Sequence, residues 1–141
     1  MTVFTNGCFD ILHRGHVELF RYCSQLAIPA MGGSVIVGIN SDESVRRLKG
    51  DSRPINNVKD RMFLLQSIKY VDQVIVFEED TPYELIKEIK PQTLVKGGDY
   101  DANIIDPNDP KYIVGSDIAN RVSVFNYIEG YSTTSIINNN K

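Results

Sequence analysis

The residues best suited to chemistry lie near the N-terminus, where the chain's two histidines, His13 and His16, stand three positions apart. An apolar run at residues 3–5 precedes them and breaks at Gly7. A strand that stops at a glycine and restarts as a helix leaves backbone N–H groups exposed, and such a corner binds anionic phosphate. Two ring N–H donors there would stabilise phosphate oxygens that gain charge in a transition state, and Gly15 would let the phosphate approach the backbone. The pattern predicts chemistry on phosphates.

The same segment has two other interpretations, a pair of incidental histidines and a zinc pair. A zinc site lacks ligands because no cysteine or carboxylate stands at a useful spacing, so no zinc-ligating residue is predicted. The segment also lacks the Gly-x-Gly-x-x-Gly of a dinucleotide-binding fold and the Gly-Lys-Ser/Thr of a P-loop. A P-loop kinase and a nicotinamide-dependent dehydrogenase are therefore disfavoured.

A second candidate is Lys49, which lies in a polar segment, residues 48–54, that is predicted to be a turn-forming loop over a triphosphate. A flexible ammonium there can follow charge toward a leaving pyrophosphate. Residues 44–61 hold six basic side chains against two acidic ones, in a chain of net charge −3. This local field suits a small anionic ligand better than a long polyanion. Arg61 would brace the same region; the alternative is a surface ion pair with Asp60 or Asp72.

Two further polar clusters follow predicted strands. In the first, Asp99 comes after two glycines and is expected to hold a sugar hydroxyl or help to bind Mg²⁺, unless it only caps a turn. In the second, residues 132–134 place three hydroxyls after Gly130, where they can cap a helix, bind phosphate or do both. Cys8 and Cys23 are expected to be packing residues without an activated thiolate.

The elements that must position these residues alternate between strand and helix. Strands are predicted at residues 2–5, 34–39, 73–77, 93–95 and 122–125, each a short apolar run typical of a strand covered on both faces. Amphipathic helices are predicted at 15–28 and 57–70, one opening at Thr81–Pro82 and ending before Pro91, and a short last one near Ser132. This order predicts an α/β fold with a parallel sheet and helices on both faces. Ligands then bind beyond the carboxyl ends of the strands, where the polar clusters stand.

Composition sets the broad class. The chain has 141 residues, 42% hydrophobic and 23% charged, which predicts one soluble domain over residues 1–141. No stretch is apolar for about 18 residues, no secretion signal is visible, and two cysteines are too few for a disulfide scaffold. A cytoplasmic protein with no membrane partner is expected. No basic patch alternates with exposed aromatic residues, so no nucleic-acid partner is expected either.

Taken together, these motifs resemble those of a known family. NGCFDILHRGH at residues 6–16, Arg61, KGGDY at 96–100 and EGYSTT at 129–134 look like the cytidylyltransferase-like nucleotidyltransferases. Within them the chain is most similar to the adenylyltransferase domain of ADP-heptose synthase. Glycerol-3-phosphate cytidylyltransferase is also similar, but it typically has an arginine where this chain has Tyr127.

The resemblance implies a Rossmann-like sheet of five parallel strands and transfer of a nucleotidyl group to a phosphorylated acceptor. It implies Mg²⁺ as cofactor, a homodimer, and Asp10 as the residue that orders the histidine loop. The catalytic residues that it implies are His13, His16 and Lys49. The nucleotide-binding residues that it implies are Asn6, Gly7, Cys8, Phe9, Asp10, Gly15, Arg61, Lys96, Gly97, Gly130, Ser132, Thr133 and Thr134. The acceptor-binding residues that it implies are Gly98, Asp99 and Tyr100.

The leading hypothesis is transfer of AMP from ATP to a sugar 1-phosphate, such as a heptose 1-phosphate, with release of pyrophosphate. One alternative is a CTP-dependent cytidylyltransferase acting on glycerol 3-phosphate or a related alcohol phosphate. Another is a nucleotide-binding module without turnover. The segment 101–112, rich in Asp, Asn and Pro, is expected to border the crevice and to affect the choice of acceptor.

Overall fold

Five parallel strands form one sheet in the computed structural model, which describes residues 1–126. The strands are β1 (Thr2–Gly7), β2 (Ser34–Asn40), β3 (Gln73–Phe77), β4 (Thr93–Gly97) and β5 (Arg121–Phe125), in the spatial order β3-β2-β1-β4-β5. All four neighbouring pairs are parallel. Each predicted strand is confirmed, and β1, β2 and β4 run one or two residues further than predicted.

Alternate residues of the strands face opposite layers. Val3 of β1 and Val95 of β4 pack with the helix α1 (Arg14–Ala27) and with α3 (Val58–Gln66), whereas Phe4 and Leu94 pack on the other side with α4 (Tyr83–Ile89). These four strand residues are no more than 1% exposed. Because both faces are covered, their sequences show no polar alternation. The predicted α/β class with helices on both faces is confirmed.

The predicted helices match the structure except at their ends. The apolar stripe of α1 is confirmed, with Leu19, Phe20 and Cys23 fully buried. The second predicted helix is shorter than 57–70, because α3 ends at Gln66 and turns follow it. At α4, Thr81 Oγ1 accepts a hydrogen bond from the Tyr83 N–H at 3.4 Å. The helix predicted near Ser132 lies outside the described residues.

One helix was not predicted. The structure has α2 at Asp42–Lys49, opened by Ser41, whose hydroxyl accepts from the Ser44 N–H at 3.1 Å. The prediction of a loop from residue 48 is therefore wrong: Lys49 is the last helical residue, and the loop begins at Gly50, whose φ is 100°. An eight-residue helix that buries only Ser44 and Val45 has no apolar stripe to reveal it.

The strand order places the sequence motifs at one edge. β1 pairs with β2 on one side and β4 on the other, so the chain changes direction across the sheet between β1 and β4. Open α/β sheets bind ligands in the crevice at such a switch point. The segments after β1, β2 and β4 meet there. Within residues 1–126, the longest helix has 14 residues, and none has the length and apolarity to cross a membrane.

Candidate active site

The two histidines form a stacked pair at the start of α1. His13 caps the helix in an extended conformation, and His16 is its third residue. Their ring centroids lie 3.7 Å apart with an interplanar angle of 23°. The His13 backbone N–H donates to Nδ1 of His16 at 3.3 Å. Because Nδ1 accepts, the proton of a neutral His16 ring is on Nε2. The helix start therefore carries an oriented imidazole donor beside its exposed N–H groups.

Phe9 fixes the orientation of His16 from behind. Its backbone has a φ of 47°, and its ring, 5% exposed, meets the His16 ring edge-on at 5.1 Å. The same ring packs on Phe20 of α1, also at 5.1 Å. A left-handed backbone at a bulky residue is uncommon and indicates a local constraint. Phe9 therefore lies in a position to orient the imidazole.

Burial keeps both histidines neutral. It lowers the pKa of His16 from 6.5 to about 3, and the neighbouring His13 acts in the same direction. Burial also lowers the pKa of His13. At neutral pH the pair offers hydrogen-bond donors without positive charge, so in the unliganded protein the rings are neutral donors.

Asp10 connects the histidine loop to the loop that follows α2. Its side chain is fully buried and accepts hydrogen bonds from the backbone N–H groups of Ile55 and Asn56, at 2.9 and 2.8 Å, and from Arg53 Nε at 2.7 Å. Burial alone would raise the pKa of Asp10, but these donors outweigh it and hold the pKa below its usual value. The carboxylate therefore stays ionised and holds residues 53–56 against the end of β1.

Arg61 is buried at the carboxyl ends of β1 and β2, with 1% of its surface exposed. Its guanidinium donates to the carbonyl oxygens of Cys8, Asn40 and Asn56 at 2.8–3.0 Å and pairs with Asp42 at 2.8 Å. Neither Asp60 nor Asp72 is its partner, so the predicted alternative of a surface ion pair is wrong. The structure shows Arg61 holding the strand ends, and its predicted support of a triphosphate stays a prediction.

His13, His16 and the start of α1 together form what we call the histidine corner. A cavity of about 550 Å³ opens beside it. Its inner end is lined by the residues Asn6 and Gly7 of β1, by Cys8, which follows β1, and by Asn40 of β2, Lys49 of α2 and Lys96 of β4. Five of these residues were predicted from the sequence, and Asn40 was missed. A polar residue at the carboxyl end of a strand was the available signal. The described lining does not include His13 or His16, so the corner and the cavity are adjacent sites.

Cys8 is a half-buried thiol in this lining. Its Sγ donates to Asn40 Oδ1 at 3.6 Å. Burial raises the pKa of Cys8, although the charges of Lys49, Arg61 and Arg53 act in the opposite direction. The group is a thiol and not a thiolate at neutral pH, which agrees with the prediction of no activated cysteine. In Cys23, burial raises the pKa to about 12, as expected for a packing residue.

The side chains of the KGGDY segment, residues 96–100, lie partly in the cavity and partly in solvent. Lys96 and Tyr100 line the cavity, with Lys96 Nζ 4.7 Å from the centre of the Tyr100 ring. Asp99 points away: its side chain is 88% exposed, and Oδ1 lies 3.4 Å from Lys111 Nζ. Gly98 has a φ of 114°, which allows this sharp change of direction. The predicted role of Asp99 in acceptor binding stays a prediction.

The second phosphate-binding cluster of the sequence, Gly130 with Ser132, Thr133 and Thr134, lies outside the described residues. Its role stays a prediction. Within residues 1–126, no group of three His, Cys, Asp or Glu side chains is placed to hold a metal ion.

The burial of His16 leads to a pH prediction. The ring signals of His16 should show no titration between about pH 8 and about pH 5, because the folded-state pKa lies near 3. Ring-proton NMR measures this directly, since the chain has two histidines and a His13→Gln variant assigns them. The unfolded value is higher, about 6.5, so the stability contribution is complete above that pH and declines as the pH falls toward 3. A midpoint near 6.5 for His16 would contradict the burial argument.

The buried carboxylate of Asp10 leads to a stability prediction. Asp10→Asn should lower the free energy of unfolding by about 3 kcal/mol, because it removes a charged acceptor from three donors. Urea unfolding measures the change. Asp51→Asn, at an exposed acid in the loop to which Asp10 binds, is the matched control with an expected change within about 0.5 kcal/mol.

The pH dependence of the Asp10→Asn effect supplies a second check. The pKa of Asp10 is lowered in the fold, so its contribution is complete above about pH 4 and is lost as the pH falls through the lower folded-state value. The difference between the two proteins should therefore shrink in acid. A difference that is the same at every pH would show that charge is not its cause.

Known proteins are similar to this chain over nearly its whole length. The sequence matches the family described as Cytidylyltransferase-like over residues 4–139. It is 56% identical over 135 residues to the bifunctional protein HldE of a Nitratiruptor species and 53% identical over 135 residues to that of Helicobacter pylori (strain Shi470). Each alignment covers 96% of this chain and 26% of the relative, so the chain spans about a quarter of the length of these relatives.

Among solved structures, the chain is similar to the lipopolysaccharide core biosynthesis protein from Thermoplasma volcanium GSS1. The TM-score is 0.68 at 25% identity, and the match covers 92% of this chain and 98% of that one. The family predicted from the motifs is therefore confirmed. Because the family match spans nearly all of the sequence and the sheet presents the histidine corner where such a fold binds ligands, the chain belongs to the cytidylyltransferase-like family.

Proposed function

We propose that this nucleotidyltransferase transfers AMP from ATP to a sugar 1-phosphate of the heptose class and releases pyrophosphate. The observation that carries the proposal is a corner with two neutral imidazoles, His13 and His16, next to a cavity that holds Lys49 and Lys96. The corner suits the reacting phosphates of a nucleotide, and the cavity suits a second anionic substrate. Similarity to a lipopolysaccharide core biosynthesis protein supports a sugar as the acceptor.

The reaction needs no enzyme nucleophile. An oxygen of the acceptor phosphate attacks the α-phosphorus of ATP, the bond from that phosphorus to the bridging oxygen breaks, and pyrophosphate leaves with the electron pair. The acceptor phosphate is ionised at pH 7, so no general base is required. The protonated Cys8 agrees with this, because it leaves no thiolate to attack. Catalysis then depends on in-line positioning and on stabilisation of charge.

The chain's own groups divide this work. The imidazoles and the N–H groups at the start of α1 donate to the α-phosphate as it gains charge. Neutral rings do this without binding the substrate's ground-state charge as strongly as two imidazolium ions would. Lys49, at the exposed end of α2, lines the cavity with Lys96, where its ammonium can attract the acceptor phosphate. The predicted role of Lys49 toward the leaving pyrophosphate stays a prediction.

In this proposal ATP enters as its magnesium complex. Because the described residues 1–126 offer no cage of three acidic or imidazole ligands, phosphate oxygens and water would hold most of the coordination sphere. The ion would neutralise charge on the triphosphate. The expected homodimer and the expected lack of a nucleic-acid partner stay predictions.

Pyrophosphate release over a grid of substrates tests the proposal. ATP and CTP are each combined with heptose 1-phosphate and with glycerol 3-phosphate, and turnover is expected only for ATP with heptose 1-phosphate. CTP-dependent turnover with glycerol 3-phosphate would replace the proposal with a cytidylyltransferase activity. Calorimetry that shows nucleotide binding without product from any acceptor would favour a binding module.

Loss of one imidazole should impair the chemical step. His16→Ala should lower the turnover number by about 10²–10³, the usual cost of removing one preorganised donor. The measurement is pyrophosphate release at saturating substrates, with thermal unfolding to show that the variant is folded. Arg21→Ala, on the solvent side of the same helix, serves as the control and should keep its activity. Turnover of His16→Ala close to that of the unmodified enzyme would contradict the assigned role.

A further inference from the structure

We propose that the outer wall of the cavity, residues 107–114, holds the sugar ring of the acceptor, with Asp109 accepting its hydroxyl groups and Tyr112 packing on its apolar face. This inference rests on the proposed function and makes its acceptor site specific. The cavity volume of about 550 Å³ lies within the range of small-molecule sites. Its two ends differ in chemistry as the two ends of a sugar phosphate do.

The inner end is cationic. Lys49 and Lys96 line it from different elements, and the described residues place no carboxylate on the Lys96 ammonium, which lies over the Tyr100 ring. Burial lowers the pKa of Lys96, and the charge of Lys49 acts in the same direction. Asp80 also lines the cavity, but its Oδ1 is paired with Arg47 Nε at 2.9 Å. Two cations that line one cavity are stabilised by a dianion. This end therefore suits the acceptor phosphate.

The outer end is aromatic and acidic. Tyr100, Tyr112 and Asp109 line it, together with the rings of Pro107 and Pro110. Asp109 uses Oδ1 to accept from the Lys111 N–H at 2.9 Å, and a carboxylate has further acceptor sites. Sugars present C–H faces to aromatic rings and hydroxyl donors to carboxylates. The outer wall supplies both kinds of partner.

The nucleotide has a different place. The histidine corner and the start of α1 are suited to its reacting phosphates, and neither His13 nor His16 lines the cavity within the described chain. The cavity instead joins the corner through Cys8 and Gly7, so an acceptor phosphate at Lys96 lies next to the reacting phosphates. This arrangement assigns the cavity to the second substrate.

In this proposal Asp109, and not the sequence-predicted Asp99, contacts the sugar. Asp99 is 88% exposed, pairs with Lys111 and lies outside the lining. Asp109 is half-buried and faces the cavity. Three residues upstream, Asp106 makes the same kind of turn bond, from its Oδ1 to the Asn108 N–H at 3.0 Å, but it is exposed and does not line the cavity. Asp106 is therefore a matched control.

Two probes separate the ring contacts from the phosphate contacts. Calorimetry measures the dissociation constants of inorganic phosphate and of heptose 1-phosphate for the full chain. The unmodified protein should bind the sugar phosphate at least about tenfold more tightly, because only that probe reaches the outer wall. Equal affinity for the two probes would overturn the inference.

Variants then locate the contribution. Asp109→Ala and Tyr112→Ala should each weaken binding of heptose 1-phosphate about tenfold and leave binding of inorganic phosphate and of ATP unchanged. Asp106→Ala, which loses an equivalent turn bond, should change none of the three. Asp109→Asn, which keeps the turn bond, is a second variant in case the alanine variant does not fold. Weaker ATP binding in place of weaker sugar-phosphate binding would overturn the inference, as would unchanged affinities throughout.

The proposed function has its own measurement. Pyrophosphate release with ATP and heptose 1-phosphate is recorded on the same protein. If turnover is missing but the binding preference and its loss in the variants are observed, the transfer reaction is wrong and the ring site is supported.

Discussion

The buried guanidinium of Arg61 is the interaction on which the geometry of this edge depends. It donates to the carbonyl oxygen of Cys8, the residue after β1, and to that of Asn40, the last residue of β2. It also pairs with Asp42 at the start of α2. Arginine presents five N–H donors in one rigid plane, so a single side chain can fix several acceptors. Its removal would leave buried carbonyl groups and a carboxylate without their partner, which costs several kcal/mol.

Charge is distributed over the site by burial. His16 lies between the rings of Phe9 and His13 and loses its positive charge, whereas Lys49 is exposed at the end of α2 and lines the cavity. The result is a corner of neutral, directional donors beside a region of positive charge. The neutral donors stabilise a phosphate that gains negative charge during the reaction, and the positive charge attracts anionic substrates. Asp10 supports both, because its ionised side chain holds the loop after α2 against the histidine loop.

Particular residues show which features of the fold could be predicted from the sequence. The five strands were predictable because residues such as Val3 and Phe4 are apolar on both sides of the chain, a signal that survives without any tertiary information. The helix α2 was not predictable in the same way, since it buries little and its stability depends on the cap at Ser41 and on Asp42 pairing with Arg61. Asp99 and Asp109 illustrate a similar limit: both are acids in one polar stretch, and the left-handed turn at Gly98 directs the first toward solvent.

The sheet, the two-sided core and the pair of imidazoles at a helix start could be predicted from the chain alone, because they follow from apolar periodicity and from residue spacing. Three properties of the site follow from tertiary contacts: the imidazoles are neutral, Arg61 faces inward, and Lys96 and Asp109 line the same cavity. Each of these depends on burial or on contacts between residues distant in sequence, and the local pattern around a residue contains neither its solvent exposure nor its partners.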